Sequence, residues 1–381
     1  VTGVQTCALP ICSLRFSMNN FSVNNSLVKS KLKTGLLHLV ILAFSILICS
    51  LIGCSSSKND AHSTASSTEN NKELTPVTLN EVAHSIFYAP QYTAIELGYF
   101  EEEGILLTLD TGFGADKTMT ALISGNADIG FMGSEASIYT YKEGNEDFAI
   151  NFAQLTQRAG NFLVSREQYD SFSWSQLKGS TVIGGRKGGM PEMVFEYILK
   201  KNGLTPQKDV TIIQNIDFGS TAAAFSSDIS LSDYTVEFEP HATLLELSGD
   251  GYVAASLGVD SGYVPYTAYS ARKSFLKAHP DTIQHFTNAI QKGLEYVNSH
   301  SAAEIANVIA PQFPETDIKT ITIIVNRYLE QDTWKNDTIF TKESFDLLQD
   351  ILLDAGELEQ KVPYDDLVTT TYAKNAVTKF E

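Results

Sequence analysis

The chain has 381 residues, 43% hydrophobic and 19% charged, which excludes a disordered, collagen-like or coiled-coil protein. With 45 acidic and 27 basic residues its net charge is −18, and this argues against nucleic acid or an anionic membrane surface as partner, since both require a basic face. The length leads to an expectation of two or three domains.

The first 53 residues carry four bases (Arg15, Lys29, Lys31, Lys33) and no acid. The lysines precede an apolar run from Gly35 to Gly53, the arrangement of an export signal. The run is also close to the ~20 residues that span a bilayer, so a retained anchor helix is the alternative. Leu51-Ile52-Gly53-Cys54 separates the two, because it resembles the lipobox of bacterial lipoproteins. There a small residue before the cysteine admits the signal peptidase, and the thiol then carries a diacylglycerol whose two chains anchor the protein stably. The expected organisation is a non-native leader over 1–17, a lipoprotein signal peptide over 18–53 and a flexible Ser/Thr/Asn-rich tether over 54–75. Residues 1–11 read like a translated sequencing adapter, and Met18 is the expected start. Cleavage before Cys54 removes 53 of the 381 residues to leave 328, and the loss of four positive charges takes −18 to −22. Cys54 is then the only cysteine, which leaves no disulfide, no cysteine metal site and no cysteine nucleophile.

Alternation over Val77–Val82 predicts a strand, and Pro90 opens a helix that runs to Leu97. Ile105–Leu109 reads as a strand, Gly112–Ala115 as a turn, Lys117–Ser124 as a helix closed by Gly125, and Ala127–Phe131 as a third strand. Further strands are expected at Thr181–Ile183, Val210–Ile213 and Tyr234–Phe238, with helices over Glu192–Lys201 and Ala242–Leu247. Beyond about residue 275 the chain reads as helical. Ile283, Phe286, Ile290, Leu294 and Val297 form one stripe, and helices are expected at 302–309, 316–330 and 342–355. Strand–helix alternation with short connections implies open α/β sheets, whose ligands sit beyond the carboxyl ends of the strands.

Two strings, Ser85-Ile-Phe-Tyr-Ala-Pro-Gln-Tyr92 with Glu96-Leu-Gly-Tyr-Phe-Glu-Glu-Glu-Gly-Ile105 and Leu122-Ile-Ser-Gly-Asn-Ala-Asp-Ile-Gly130, resemble the nitrate/sulfonate/taurine-type solute-binding proteins, a group related to SsuA, THI5 and NMT1. Glu239-Pro240 and Val264-Pro-Tyr-Thr267 stand where that family has its second-lobe and return-crossover motifs. The resemblance implies a type II periplasmic-binding fold: two α/β lobes joined by two crossover strands, with a ligand cleft between them. By the same analogy lobe one spans 76–160 and 267–381, and lobe two spans 161–266. It also implies an ABC permease and its ATPase as partners, since this chain has no G-x-x-x-x-G-K-[ST] of its own. A monomer that binds a small solute, without cofactor, metal or catalysis, is expected. The alternatives are a ligand-sensing surface lipoprotein and a thiamine-pyrimidine synthase-like enzyme. The second lacks the cysteine-rich motif it would need.

The sharpest candidate site is Gly184-Gly185-Arg186-Lys187-Gly188-Gly189-Met190-Pro191. Its glycines can turn N–H groups to one point, Pro191 starts a helix there, and Arg186 and Lys187 add positive charge, which together suit a sulfonate, phosphate or carboxylate. Gly112-Phe113-Gly114 lacks the third glycine of a dinucleotide fingerprint and reads as a cleft loop with Phe113 as a stacking face. Ser85 opens the segment in which Phe87 and Tyr88 are candidates to clamp a planar ligand. Ser134 and Glu135 open a helix whose start faces the ligand in the resembled family. Glu135 or Glu239 would suit a ligand with N–H donors, such as a pyrimidine or flavin, better than nitrate. Arg158 and Tyr266 are expected near the crossovers. His84, His241, His279, His285 and His300 show no metal-binding spacing, and neither H-E-x-x-H nor G-x-S-x-G occurs.

Overall fold

The computed structural model describes residues 73–380, so the expected leader, signal peptide and lipidated Cys54 lie outside the described residues. Ten strands form two five-stranded sheets. Sheet one holds β1 (Thr75–Glu81), β2 (Ile105–Thr111), β3 (Ile129–Gly133), β4 (Ala149–Thr156) and β10 (Thr267–Arg272) in the order β2-β1-β3-β10-β4. Sheet two holds β5 (Asn161–Ser165), β6 (Thr181–Ile183), β7 (Thr211–Ile213), β8 (Tyr234–Phe238) and β9 (Tyr252–Ser256) in the order β7-β6-β8-β5-β9. Each sheet repeats one plan. Three parallel strands are followed by an antiparallel strand that has come across from the other sheet, β10 in the first and β5 in the second. The chain therefore passes between the lobes twice, after β4 and after β9.

The two passages are stitched together. The Val264 N–H donates to the Gln157 carbonyl, and the Thr156 and Thr267 hydroxyls share a hydrogen bond of 2.6 Å. A third segment braces them, since Gln157 N–H donates to the Thr333 carbonyl and the Tyr328 hydroxyl donates to the Gly160 carbonyl.

The expected helical stripe is realised in Pro280–Ser299, where Ile283, Phe286, Ile290, Leu294 and Val297 are all fully buried. This helix packs on Ala89–Glu96 so closely that a Cβ on Gly293 would stand 2.2 Å from the Pro90 carbonyl oxygen. Ala302–Ile309, Ile318–Glu330 and Lys342–Ala355 are helices as the pattern predicts, and the first two are capped at Ser301 and Asp317.

Sequence patterning did not yield β4, β5, β9 and β10. β4 and β10 carry polar residues into the interior, which breaks the apolar run that marks a buried strand. The interior pairs them instead. Asn151 donates to the Ser137 hydroxyl (2.8 Å) and the Leu367 carbonyl (3.2 Å), and it accepts from the Ser270 hydroxyl (2.8 Å). Removing such a hub strands its partners away from water, so Asn151→Ala should cost about 2–3 kcal/mol. The expected readout is a lower urea midpoint with an unchanged m-value.

Candidate ligand cleft

The loops at the carboxyl ends of the parallel strands of both sheets meet one another. From sheet one come the segment after β1, the Gly112–Gly114 turn after β2 and the helix start at Ser134-Glu135 after β3. From sheet two come the glycine-rich loop after β6 and Glu239-Pro240 after β8. The Ser85 hydroxyl donates to the Glu239 carbonyl (3.0 Å), and the Tyr139 hydroxyl donates to the Gly188 carbonyl (3.2 Å). At the rim Arg186 pairs with Asp116 (3.1 Å). Arg327, on helix Ile318–Glu330, holds Glu239 and Glu246 (2.6 Å) of the sheet-two side. The lobes are in contact through these bonds.

Glu135 lies at the centre of the junction, 3% exposed. Its carboxyl folds back over Gly133, where a Cβ would come within 2.1 Å of Oε2, so glycine at 133 makes its room. Met190, first residue of helix Met190–Lys201 on the other lobe, brings its backbone N–H near enough to this carboxyl to favour its charged form. Oε2 has no hydrogen-bond partner. Burial pushes the Glu135 pKa up to about 8, against the lowering effect of the N–H groups.

Two more buried side chains in this region carry unpartnered polar atoms. The Tyr266 hydroxyl has no partner and interacts electrostatically with Tyr88 and Glu135. Asn161, at the start of β5, has neither its Nδ2 nor its Oδ1 bonded. It pairs in register with Phe238 and so shares that residue's face of sheet two. Phe238 in turn stands 6.1 Å from the Tyr266 ring, and Tyr88 packs edge-on to Phe131 at 4.5 Å. Aromatic faces with a few unsatisfied polar groups are the usual make-up of a small-molecule site.

Residues 86–303 match the family model described as NMT1/THI5 like. The Bacillus subtilis (strain 168) protein YtlA, which carries the name of a binding protein, is 46% identical over 306 residues, 80% of this chain and 91% of that one. The chain belongs to the NMT1/THI5-like family. Its fold matches the periplasmic nitrate-binding protein NrtA of Synechocystis PCC 6803 (TM-score 0.67, 14% identity, 81% of this chain and 90% of that one). It also matches the alkanesulfonate-binding protein SsuA of Xanthomonas axonopodis pv. citri, solved with MOPS (TM-score 0.62, 15% identity, 78% and 98%). The two-lobed periplasmic-binding architecture expected from the sequence is thus the observed one.

In this NMT1/THI5-like chain several candidates stand elsewhere than expected. The glycine-rich loop spends two of its N–H groups within the chain, Gly188 on Glu192 (3.4 Å) and Gly189 on the Arg186 carbonyl (3.3 Å). Gly185 and Gly188 serve the turn, with φ of 86° and 77°. Arg186 points to the rim and is 57% exposed, and Lys187 is exposed too. Phe87 does not clamp a ligand. It is core, packed against Tyr88, Phe238, Tyr266 and Tyr328. Phe113 points outward, 74% exposed, between Gly112 and Gly114. The Ser134 hydroxyl is spent on the Pro265 carbonyl. Arg158 braces the crossovers, bonded to the Gly258 carbonyl (3.0 Å) and laid over the Tyr263 ring (4.1 Å). Glu239 is consumed by Arg327 and Thr243. Tyr88, Glu135 and Tyr266 remain at the junction. Asn161, Tyr139, Asp116 and Arg327 were not singled out from the sequence, which has no local pattern to mark residues that matter only because a distant loop meets them.

Arg327→Ala leaves Glu239 buried without its cation, a loss of about 3–5 kcal/mol. Burial already raises the Glu239 pKa above its ordinary value. A carboxyl whose folded pKa is raised binds more protons in the folded state, so stability falls as pH rises. The destabilisation of Arg327→Ala, measured by urea melts at pH 5 and pH 8, should therefore be smaller at pH 5.

Proposed function

We propose that this protein is the extracytoplasmic solute-binding component of an ABC importer, tethered through a lipid on Cys54, which closes around a small organic solute and delivers it to a permease and its ATPase. The two-lobed fold, the family and the lipobox-like segment support this reading. Among the described residues no helix is long and apolar enough to cross a membrane. A closing clamp needs a ligand that touches both lobes, since a solute shifts the equilibrium only by its preference for the shut form. Met190, Asn161 and Phe238 supply the sheet-two side of the junction, Tyr88 and Glu135 the other, and Tyr266 stands on the returning crossover just before β10.

The solute is a heteroaromatic molecule with at least one N–H donor, of the kind found in aminopyrimidines or flavins. The Glu135 carboxyl, buried with a free acceptor oxygen, carries this reading. A bare sulfonate or nitrate brings no N–H donor to that oxygen, and the groups acting on Glu135 include no cation to balance an anion's charge. An N–H donor would meet Oε2, Tyr266 can donate to a ring nitrogen, and Asn161 offers one donor and one acceptor.

Thermal-shift screening against aminopyrimidines, riboflavin, taurine, alkanesulfonates and nitrate should yield hits only among the first two classes. A hit at one hundred times its Kd should add roughly 2.7 kcal/mol. Glu135→Gln should weaken that hit by about ten- to a hundredfold, the value of a charge-assisted hydrogen bond. Stabilisation by the sulfonates alone would refute the ligand class.

Binding should also move a proton. Glu135, with its pKa pushed up to about 8, keeps its proton at pH 7 in the shut form without solute. A donor facing the carboxyl favours ionisation and lowers that pKa. Calorimetry of the hit at pH 7, in buffers of different ionisation enthalpy, should report proton release. The release should fade as pH rises past about 8, where the group has already ionised.

A further inference from the structure

Glu81, the last residue of β1, is fully buried and met by donors on both oxygens. Its Oε2 accepts from the Gln91 side-chain amide (2.7 Å) and the Tyr92 hydroxyl (2.8 Å), and its Oε1 accepts from the Thr111 hydroxyl (3.2 Å). Gln91 is held in that orientation, because its own Oε1 accepts from the Tyr269 hydroxyl on β10 (2.9 Å). His84 stands against the same carboxyl, with Nδ1 2.8 Å from Oε1. Its Nε2 lies 2.8 Å from the backbone carbonyl of Gln312, in the short turn after helix Ala302–Ile309. Both ring nitrogens thus face an oxygen that accepts. A neutral imidazole carries one N–H and cannot serve two acceptors, so the geometry calls for an imidazolium. The ring lies between Tyr92 (4.8 Å) and Phe313 (4.9 Å), and its side chain is 33% exposed, so protons reach it from solvent.

We infer that His84 is a pH-operated pin: doubly protonated, it fastens the segment between β1 and the Ile86–Tyr88 turn to the Gln312 carbonyl, and on losing one proton it lets that segment go. The segment matters to the cleft. Ser85 follows His84 directly, its N–H donates to the Tyr92 hydroxyl (3.2 Å), and its own hydroxyl accepts from the Phe87 N–H (3.3 Å) and reaches the Glu239 carbonyl of the other lobe. The titratable groups facing His84 are Glu81 from β1 and Tyr92 from helix Ala89–Glu96. The Gln312 turn presents the uncharged Gln312 and Phe313, with Glu96 one step removed through the Gln312 amide. The hydrogen bond to Glu81 raises the His84 pKa, burial opposes it, and the Gln312 carbonyl adds to the rise. Above that pKa the Glu81 carboxylate, the stronger acceptor, retains the Nδ1 proton. Nε2 is then a bare lone pair aimed at the Gln312 carbonyl, and the two repel. The bracket is therefore complete below the ordinary histidine value of 6.5 and is lost as pH rises through the raised one.

The test is NMR of the ring nitrogens of 15N-labelled histidine, stepped from about pH 5 to about pH 9 and assigned by through-bond correlation to the backbone. It needs no solute, and its decisive readouts come from the wild-type chain. The His84 ring should carry a proton on both nitrogens at the acid end and titrate with a midpoint above 6.5, with Nε2 the nitrogen that loses its proton. Hydrogen exchange of the Ser85–Tyr88 amides, corrected for its intrinsic pH dependence, should quicken at least about tenfold across the same titration, the worth of one charge-assisted hydrogen bond. In His84→Gln, whose amide does not titrate, the corrected exchange should be fast and flat over the whole range. A His84 midpoint at or below 6.5, or loss of the proton from Nδ1 first, would overturn the inference. So would corrected exchange at Ser85–Tyr88 that stays constant while His84 titrates.

Discussion

A carboxyl withdrawn from water and offered only part of its hydrogen bonding is among the more costly things a fold can hold. Glu135 is such a group, and the geometry around it follows from the need to place it. Gly133 lacks a side chain so that the carboxyl can fold back, and Ser134 is anchored on the Pro265 carbonyl so that the helix starts in register. The helix of the opposite lobe brings the Met190 N–H near. The remaining cost shows as a pKa pushed up to about 8 and as an oxygen with no donor. A stable monomer has no reason to retain that arrangement for its own sake, whereas a protein that must distinguish the presence of a solute from its absence does.

The contacts that close the lobes differ in kind. The Arg186–Asp116 pair is more than half exposed on both sides and screened by salt, so it contributes on the order of 0–1 kcal/mol. The bonds of Arg327 to Glu239 and Glu246 are far more sheltered, and Glu239 is held by Thr243 as well. Arg327 belongs to helix Ile318–Glu330, the element that also braces the crossovers through Tyr328. Its ion pairs therefore tie lobe two to the hinge region, where a small rotation changes distances least. The rim pair stands at Asp116, near the opening of helix Ala115–Ser124, and is weak enough to break and reform. Strong pairing beside the hinge and weak pairing at the mouth allow the lobes to open without coming apart.

How much was legible in advance depended on whether the information was local. Parallel strands such as β1 and β6, and helices such as Pro280–Ser299, announce themselves through alternation or a single buried stripe. β4 and β10 do not, because Asn151, Thr156, Thr267 and Ser270 are buried polar residues that satisfy one another across strands. Such pairing is invisible until the partner is known. The same holds at the site. Glu135 was noticed because a helix begins there. Arg186 stands out because charge and glycine content can be read from a line of letters, whereas the rim acid Asp116 that pairs with the guanidinium lies 70 residues away in the chain. Asn161 gave no signal at all, since its importance comes from the register that sets it beside Phe238.

The unpartnered atoms of Glu135, Tyr266 and Asn161 bear directly on how a clamp of this kind would work. A buried polar group left without a hydrogen bond costs about 1–3 kcal/mol, and the penalty exists only when the lobes are shut, because water reaches these groups when they part. With several such groups in one junction, the empty closed form is raised by several kcal/mol relative to the open one. A solute that satisfies them returns that energy selectively to the closed state, which is the differential affinity a population shift requires. A perfectly satisfied, well-packed junction would shut whether or not solute was present and would report nothing to a permease. In a clamp of this kind, incomplete hydrogen bonding at residues such as Glu135, Tyr266 and Asn161 would make closure conditional on a solute that supplies the missing partners.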